Sequence, residues 1–397
     1  MTAVRTPPRT APETPARPAS RTPVRPRELT ANDVVTMIGC AVSAVSLSWL
    51  IFSVLTGGIG WLGFGLSAFA IFLALVFVVT AEMVGVTAAT DRIATTVILA
   101  SAVLLMVPLV WLVGYVIVKG VPGLTAHFFT QDQKGVTPIL PSSAGGGAHA
   151  IVGTVMQVGL ALVWALPLGV LAAVFLNESR SRWRRPVRIF VDAMSGLPSV
   201  IAGLFIFAVL ILPYAKKIQF NGWQVFSYNG FMASLALAMM MLPTITRTVE
   251  VVLRLVPDGL REASLALGSS RARTVWSVVL PTARTGITTA VVLGIARAVG
   301  ETAPLIFTAF GYDLMNTNPF DGPQESLPLF VYRNIRKPDL SAIERGFTGA
   351  LVLMMLVIGL FALARYVGRD RQRRRGNRRR PRLPTLGDQP SIGKQTP

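Results

Sequence analysis

Apolar residues in this chain fall in runs of about twenty, separated by short polar or charged segments. A bilayer core about 30 Å thick is crossed by about 20 helical residues, and a helix satisfies its own backbone hydrogen bonds in lipid. The runs predict eight spans: Val34 to Leu55, Gly63 to Val84, Ala94 to Val118, Ala150 to Leu176, Ile189 to Leu212, Phe231 to Val252, Gly286 to Phe310 and Phe347 to Tyr366. Thr56-Gly57-Gly58-Ile59-Gly60 reads as a turn, and residues 120–148 and 309–346 read as longer loops. The pattern is that of an all-α integral membrane bundle.

Composition agrees, since 52% of the 397 residues are hydrophobic and only 14% are charged, against about 25% charged in an ordinary soluble domain. The net charge of +19 raises nucleic-acid binding as an alternative, but most of it sits in two tails. Ten Arg and one Asp lie between Arg365 and Arg382, and six Arg and two Glu lie in residues 1–32. No recognised nucleic-acid module accompanies them, so no nucleic-acid partner is expected. Eight crossings put both termini on one side. The basic tails and the basic link at 180–188 assign that side to the cytoplasm. The Pro- and Arg-rich start has no apolar core before Val34 and does not read as a cleaved signal peptide. It is expected to be disordered.

The single Cys40 excludes an intrachain disulfide, and His127 and His149 read as solvated residues in or beside an outer loop. There is no G-x-S-x-G, H-E-x-x-H or phosphate-loop motif, and Gly393-Lys394 is followed by Gln. Neither catalysis, a cofactor nor a metal is expected.

Two polar constellations stand out against this background. Between spans six and seven, at about residues 253–285, Pro257 and Asp258 open a short amphipathic helix through Arg261-Glu262-Ala263-Ser264, and Gly268 permits a sharp turn after it. A second short helix leads to Pro281, where a break is expected before the next span. The segment suits either a knob inserted into a partner or a hairpin lying on lipid head groups. Inside span seven, Arg297 and Glu301 are four residues apart and are expected on one helix face, with Gly300 and Pro304 loosening the helix beside them. Arg297 lies thirteen residues beyond Arg284, roughly 20 Å along a helix and so near mid-membrane. A charge there costs at least about 2.5 kcal/mol on insertion scales. It serves either as an anion ligand, whose fork grips two oxygens, or as half of a packing salt bridge with Glu301.

Glu262-Ala263-Ser264, Gly268, Val278, Leu280 and Pro281 resemble the "EAA" loop of ABC importer permeases, with Ser in place of the usual third Ala. Arg297-x-x-Gly300-Glu301-Thr302-Ala303-Pro304-Leu305 closely resembles a stretch of phosphate permeases of the PstA type. So do Ser195 to Leu204, which includes Pro198, the run Met241 to Thr248, and Ser326-Leu327-Pro328. The resemblance covers about residues 90–366 and implies a MetI-like, type I ABC importer permease. It assigns Arg261, Glu262, Ala263, Ser264, Gly268, Leu280 and Pro281 to ATPase coupling, and Arg297, Glu301 and Thr302 to the phosphate path. Pro198, Gly300 and Pro304 become candidate gating kinks. The implied partners are a PstC-like second permease, a PstB-like ATPase dimer, a PstS-like phosphate-binding protein and membrane lipids. Importers of molybdate, sulfate or phosphonate are the competing transport reading, and a non-transport membrane protein is the reading from another class. The family usually has six spans, so residues 33–89 would be an added hairpin. The tail from 367 onward is either a lipid-surface anchor or a protein contact.

Overall fold

A computed structural model describes residues 31–55, 60–137, 140–214, 222 and 224–369. The two basic tails, most of the first turn and Lys216-Lys217 lie outside these residues. In chain order the helices are α1 (Ala31–Leu55), α2 (Trp61–Val84), α3 (Val86–Gly120), α4 (Ala126–Thr130) and α5 (Ala148–Glu178). There follow α6 (Arg184–Ser195), α7 (Ser199–Tyr214), α8 (Gly230–Arg254), α9 (Asp258–Ala266) and α10 (Arg271–Val299). The last are α11 (Ala303–Thr308), α12 (Leu327–Ile335) and α13 (Leu340–Arg369). Seven of these are long and apolar enough to cross a membrane, and eight spans result if the bent pair α6 and α7 is counted as one.

The chain forms two compact units, residues 1–109 and 110–397. In the first, α1 and α2 form a hairpin in which the rings of Phe52 and Phe64 meet edge to face at 6.1 Å. Arg92 of α3 donates to Asp33 of α1 at 2.5 Å. Asp91 and Arg92, which lie between the second and third expected spans, are therefore helical, and α3 begins eight residues earlier than its apolar content suggests.

In the second unit α8 is the central helix, packed by α5 on one flank and α10 on another. Ile245 shows why the helices approach so closely. It sits between Gly169 of α5 and Gly294 of α10, and a Cβ added to either glycine would lie 2.9 Å from it. Such small residues let backbones approach where lipid offers no hydrophobic drive to associate.

Three of the expected continuous helices are interrupted or extended. The fifth span is two helices bent by 105° across Gly196-Leu197-Pro198. Its first half, α6, carries Arg184, Arg185, Arg188 and Asp192, so its apolar residues are one face of an amphipathic helix rather than a spanning core. The seventh span stops at Val299 and restarts at Ala303. Conversely, Pro281 breaks nothing. A π-helical turn over Val275–Val279 precedes it and helix continues on both sides, so the bulged turn accommodates the missing donor. The second of the longer expected loops, residues 309–346, also contains α12, started by Leu327 and Pro328, and α13 begins at Leu340 rather than Phe347.

Candidate functional site

Two broken helices meet in the second unit. Pro198, with extended backbone, ends the first break, and its carbonyl accepts the N–H of Ile201 at 3.0 Å. Proline suits this position because a new helix does not need its missing donor. The second break is Gly300-Glu301-Thr302, after which Pro304 occupies the first turn of α11. Glu301 bonds with Ser199, the first residue of α7. Gly203 of α7 packs directly on the backbone of Pro304. Glu301 thus sits at the positive N-terminal end of α7, where a carboxylate is favoured.

Arg297 is the last charged residue before the second break. It donates to the Thr244 hydroxyl at 3.3 Å, about midway along α8. It lines a small pocket at the first break with Met194, Ser195, Leu197, Met240 and Pro243. Because α10 ends at Val299, Glu301 does not share a helix face with Arg297 as the spacing predicts. Among the described residues no carboxylate lies within ion-pair distance of Arg297, and Thr244 is its sole hydrogen-bond partner. Most of its five donors are left for an oxyanion. Thr302 accepts the N–H groups of Leu305 and Ile306 through its carbonyl, at 3.2 and 3.3 Å, and so starts α11. Gly300 adopts ordinary right-handed backbone, so the break there does not depend on glycine's conformational freedom.

At the far end of α8, α9 is held by its own side chains. Arg261 donates to the carbonyls of Leu253 and Val256, each at 2.8 Å, to Asp258 at 2.8 Å and to Glu178 at 3.1 Å. It therefore faces inward as the fastener of α9. Ser264 bonds with Thr274 at 3.0 Å and ties α9 to α10. Gly268, at φ +82, closes α9: its N–H donates to the Leu265 carbonyl at 2.9 Å and the Ser269 N–H donates to the Ser264 carbonyl at 3.2 Å, a Schellman cap that needs the left-handed region. Glu262, Ala263, Leu265 and Leu267 remain exposed as a ridge, Leu267 at 87%. Leu280 is half-buried against the core, and Pro281 is exposed.

Two clusters escaped the sequence reading. Buried Glu250 accepts from Arg188 at 2.6 Å, Arg247 at 2.7 Å and Arg254 at 2.5 Å, and Arg247 also pairs with Asp192. The 247-250-254 spacing on one helix was the available signal. Toward the opposite end, Glu325 is buried and paired with Arg333, which also reaches Asp313 at 3.3 Å. His149 is buried rather than solvated, packed edge-on against Phe330 at 5.6 Å.

Residues 165–373 match the family model of the binding-protein-dependent transport system inner membrane component. The chain is 38% identical over 288 residues to the phosphate transport system permease protein PstA 1 of Mycobacterium tuberculosis, across 71% of this chain and 90% of that one. It is 34% identical over 284 residues to the PstA permease of Yersinia pestis, across 70% and 89%. A chain of a bacterial alginate ABC transporter, crystallised with a pentasaccharide-bound periplasmic protein, shares the fold with a TM-score of 0.53 and 14% identity, over 70% of this chain and 95% of that one. The chain belongs to the binding-protein-dependent transport system inner membrane components and, among them, to the PstA permeases.

Proposed function

We propose that this chain is one transmembrane half of an ATP-driven importer of inorganic phosphate. The observation that carries the reading is Arg297, placed midway along α8 at the meeting of two helix breaks, with most of its donors unused. An arginine fork fits a tetrahedral oxyanion, and relatives over most of the chain are PstA phosphate permeases. Glu301 accepts the proton of hydrogen phosphate in this scheme, a proton that sulfate lacks.

The other half is a PstC-like permease. A dimer of PstB-like chains hydrolyses ATP and receives the exposed ridge of α9, while a PstS-like protein delivers phosphate at the opposite end. Both termini and α9 lie on the cytoplasmic side. Residues 33–89 are an added hairpin on a core of about 90–366, and the basic tail from 367 onward serves as a lipid-surface anchor.

Labelled phosphate uptake tests this in cells lacking their own high-affinity uptake, with all partners supplied and excess sulfate as competitor. Uptake that sulfate does not reduce is expected, with Glu301→Gln relaxing that exclusion. Uptake of sulfate but not phosphate would overturn the assignment.

A further inference from the structure

We propose that a cavity beside α9 binds the phosphate of an acidic phospholipid head group. The cavity measures about 760 Å³ and lies where the ends of α5 and α8 meet α9 and the start of α10. One wall is apolar, made by Leu171, Val174 and Phe175 of α5. Leu171 is itself 52% exposed, so this wall continues onto the outer flank of the helix. The rest is ringed by Arg180, Arg184, Arg254, Arg261 and Arg271.

These five arginines are not equivalent. Arg254 is satisfied by Glu250 at 2.5 Å, and Arg261 by Glu178, Asp258 and two carbonyls. The two carboxylates lining the cavity, Glu178 and Asp258, are thus already engaged. Arg180, Arg184 and Arg271 have no carboxylate or carbonyl acceptor among the described residues, although Arg184 is half-buried. Three unneutralised guanidinium groups around one space repel each other, and an anion placed between them removes that cost. Guanidinium forks match phosphate oxygens.

The apolar wall decides what carries the phosphate. A free anion gains nothing from Leu171, Val174 and Phe175, whereas an acyl chain lies along them. Trp183 and Trp276, 61% and 64% exposed, lie in the same end segments. Indole rings concentrate at head-group depth, and basic pockets between spanning helices hold anionic head groups.

The test is native mass spectrometry of the full-length chain purified in detergent, incubated with phosphatidylglycerol or with phosphatidylcholine of the same acyl chains. Wild type is expected to retain phosphatidylglycerol at least about tenfold better. The triple variant Arg180→Gln, Arg184→Gln, Arg271→Gln is expected to lose that preference, and the corresponding triple Lys variant to keep most of it. Monodisperse elution of both variants establishes that they fold. Equal retention by wild type and the Gln variant overturns the proposal. Displacement of the lipid by millimolar inorganic phosphate assigns the arginines to a free anion and overturns it too.

Discussion

Gly203 of α7 lies against Pro304 of α11 so closely that a Cβ added to the glycine would sit 2.6 Å from the proline Cα and 2.8 Å from its carbonyl oxygen. Both partners there are backbone, so no side chain can swing aside. The two helix restarts behind Arg297 therefore touch only because residue 203 has no side chain. Gly203→Ala is expected to destabilise the protein by about 1–3 kcal/mol and to depress uptake. Gly196→Ala, at the neighbouring break, meets only the Ala193 carbonyl at 3.6 Å and should be tolerated. Thermal unfolding of the two purified variants separates them, and equal loss in both would contradict the packing argument.

The two glycines around α9 predict opposite effects. Gly268 adopts φ +82 in the cap that ends the helix. Alanine in left-handed backbone costs about 1 kcal/mol, and the turn that presents the exposed ridge weakens. Gly259 lies inside α9 with nothing within 4 Å of an added Cβ. Gly259→Ala should stabilise the helix by roughly 0.5–1 kcal/mol. Stimulation of ATP hydrolysis in the reconstituted transporter should fall for Gly268→Ala and hold for Gly259→Ala.

Glu325, outside the spanning segments, gives a pH dependence whose sign is fixed by burial. Loss of solvent pushes its carboxyl from 4.5 up to about 7, with Asp313 adding to the rise, while Arg333 and the Ser326 N–H pull the other way. Between those values the folded protein holds a proton that the unfolded chain has released, so stability falls as pH rises through that window and is level above it. The loss across the whole window is about 3 kcal/mol at most. Unfolding midpoints near pH 5 and pH 8 should differ in wild type and converge in Glu325→Gln. A wild type more stable at the higher pH would contradict this assignment.

Span existence was legible because apolar runs of membrane length leave few alternatives, and α1, α2, α5 and α8 begin and end within a few residues of the expected bounds. The break at Pro198 was foreshadowed by its proline, though a 105° bend was not. Amphipathic α6 blended into the apolar run that follows it. Pro281 misled in the other direction, since proline chemistry alone does not reveal a π-helical turn that accommodates it. Arg297 was conspicuous as a charge in an apolar stretch, whereas its partner Thr244 is 53 residues away. The same separation hid Arg188, which reaches Glu250 across 62 residues. His149 is buried against Phe330, and the Glu325 backbone packs on Gly153 and Gln157 of α5, contacts between residues far apart in the chain. Local pattern carried the helices, and long-range contact carried the site.

The most direct test of the central claim is phosphate uptake by Arg297→Gln beside wild type, with membrane assembly and ATP hydrolysis measured in the same preparations. A charge-assisted hydrogen bond is worth about 1.5–3 kcal/mol, so uptake should fall roughly ten- to a hundredfold while assembly and hydrolysis persist. Arg297→Lys should recover part of the loss, since it keeps the charge without the fork. Normal uptake by Arg297→Gln would contradict the account and leave Arg297 as a packing residue held by Thr244.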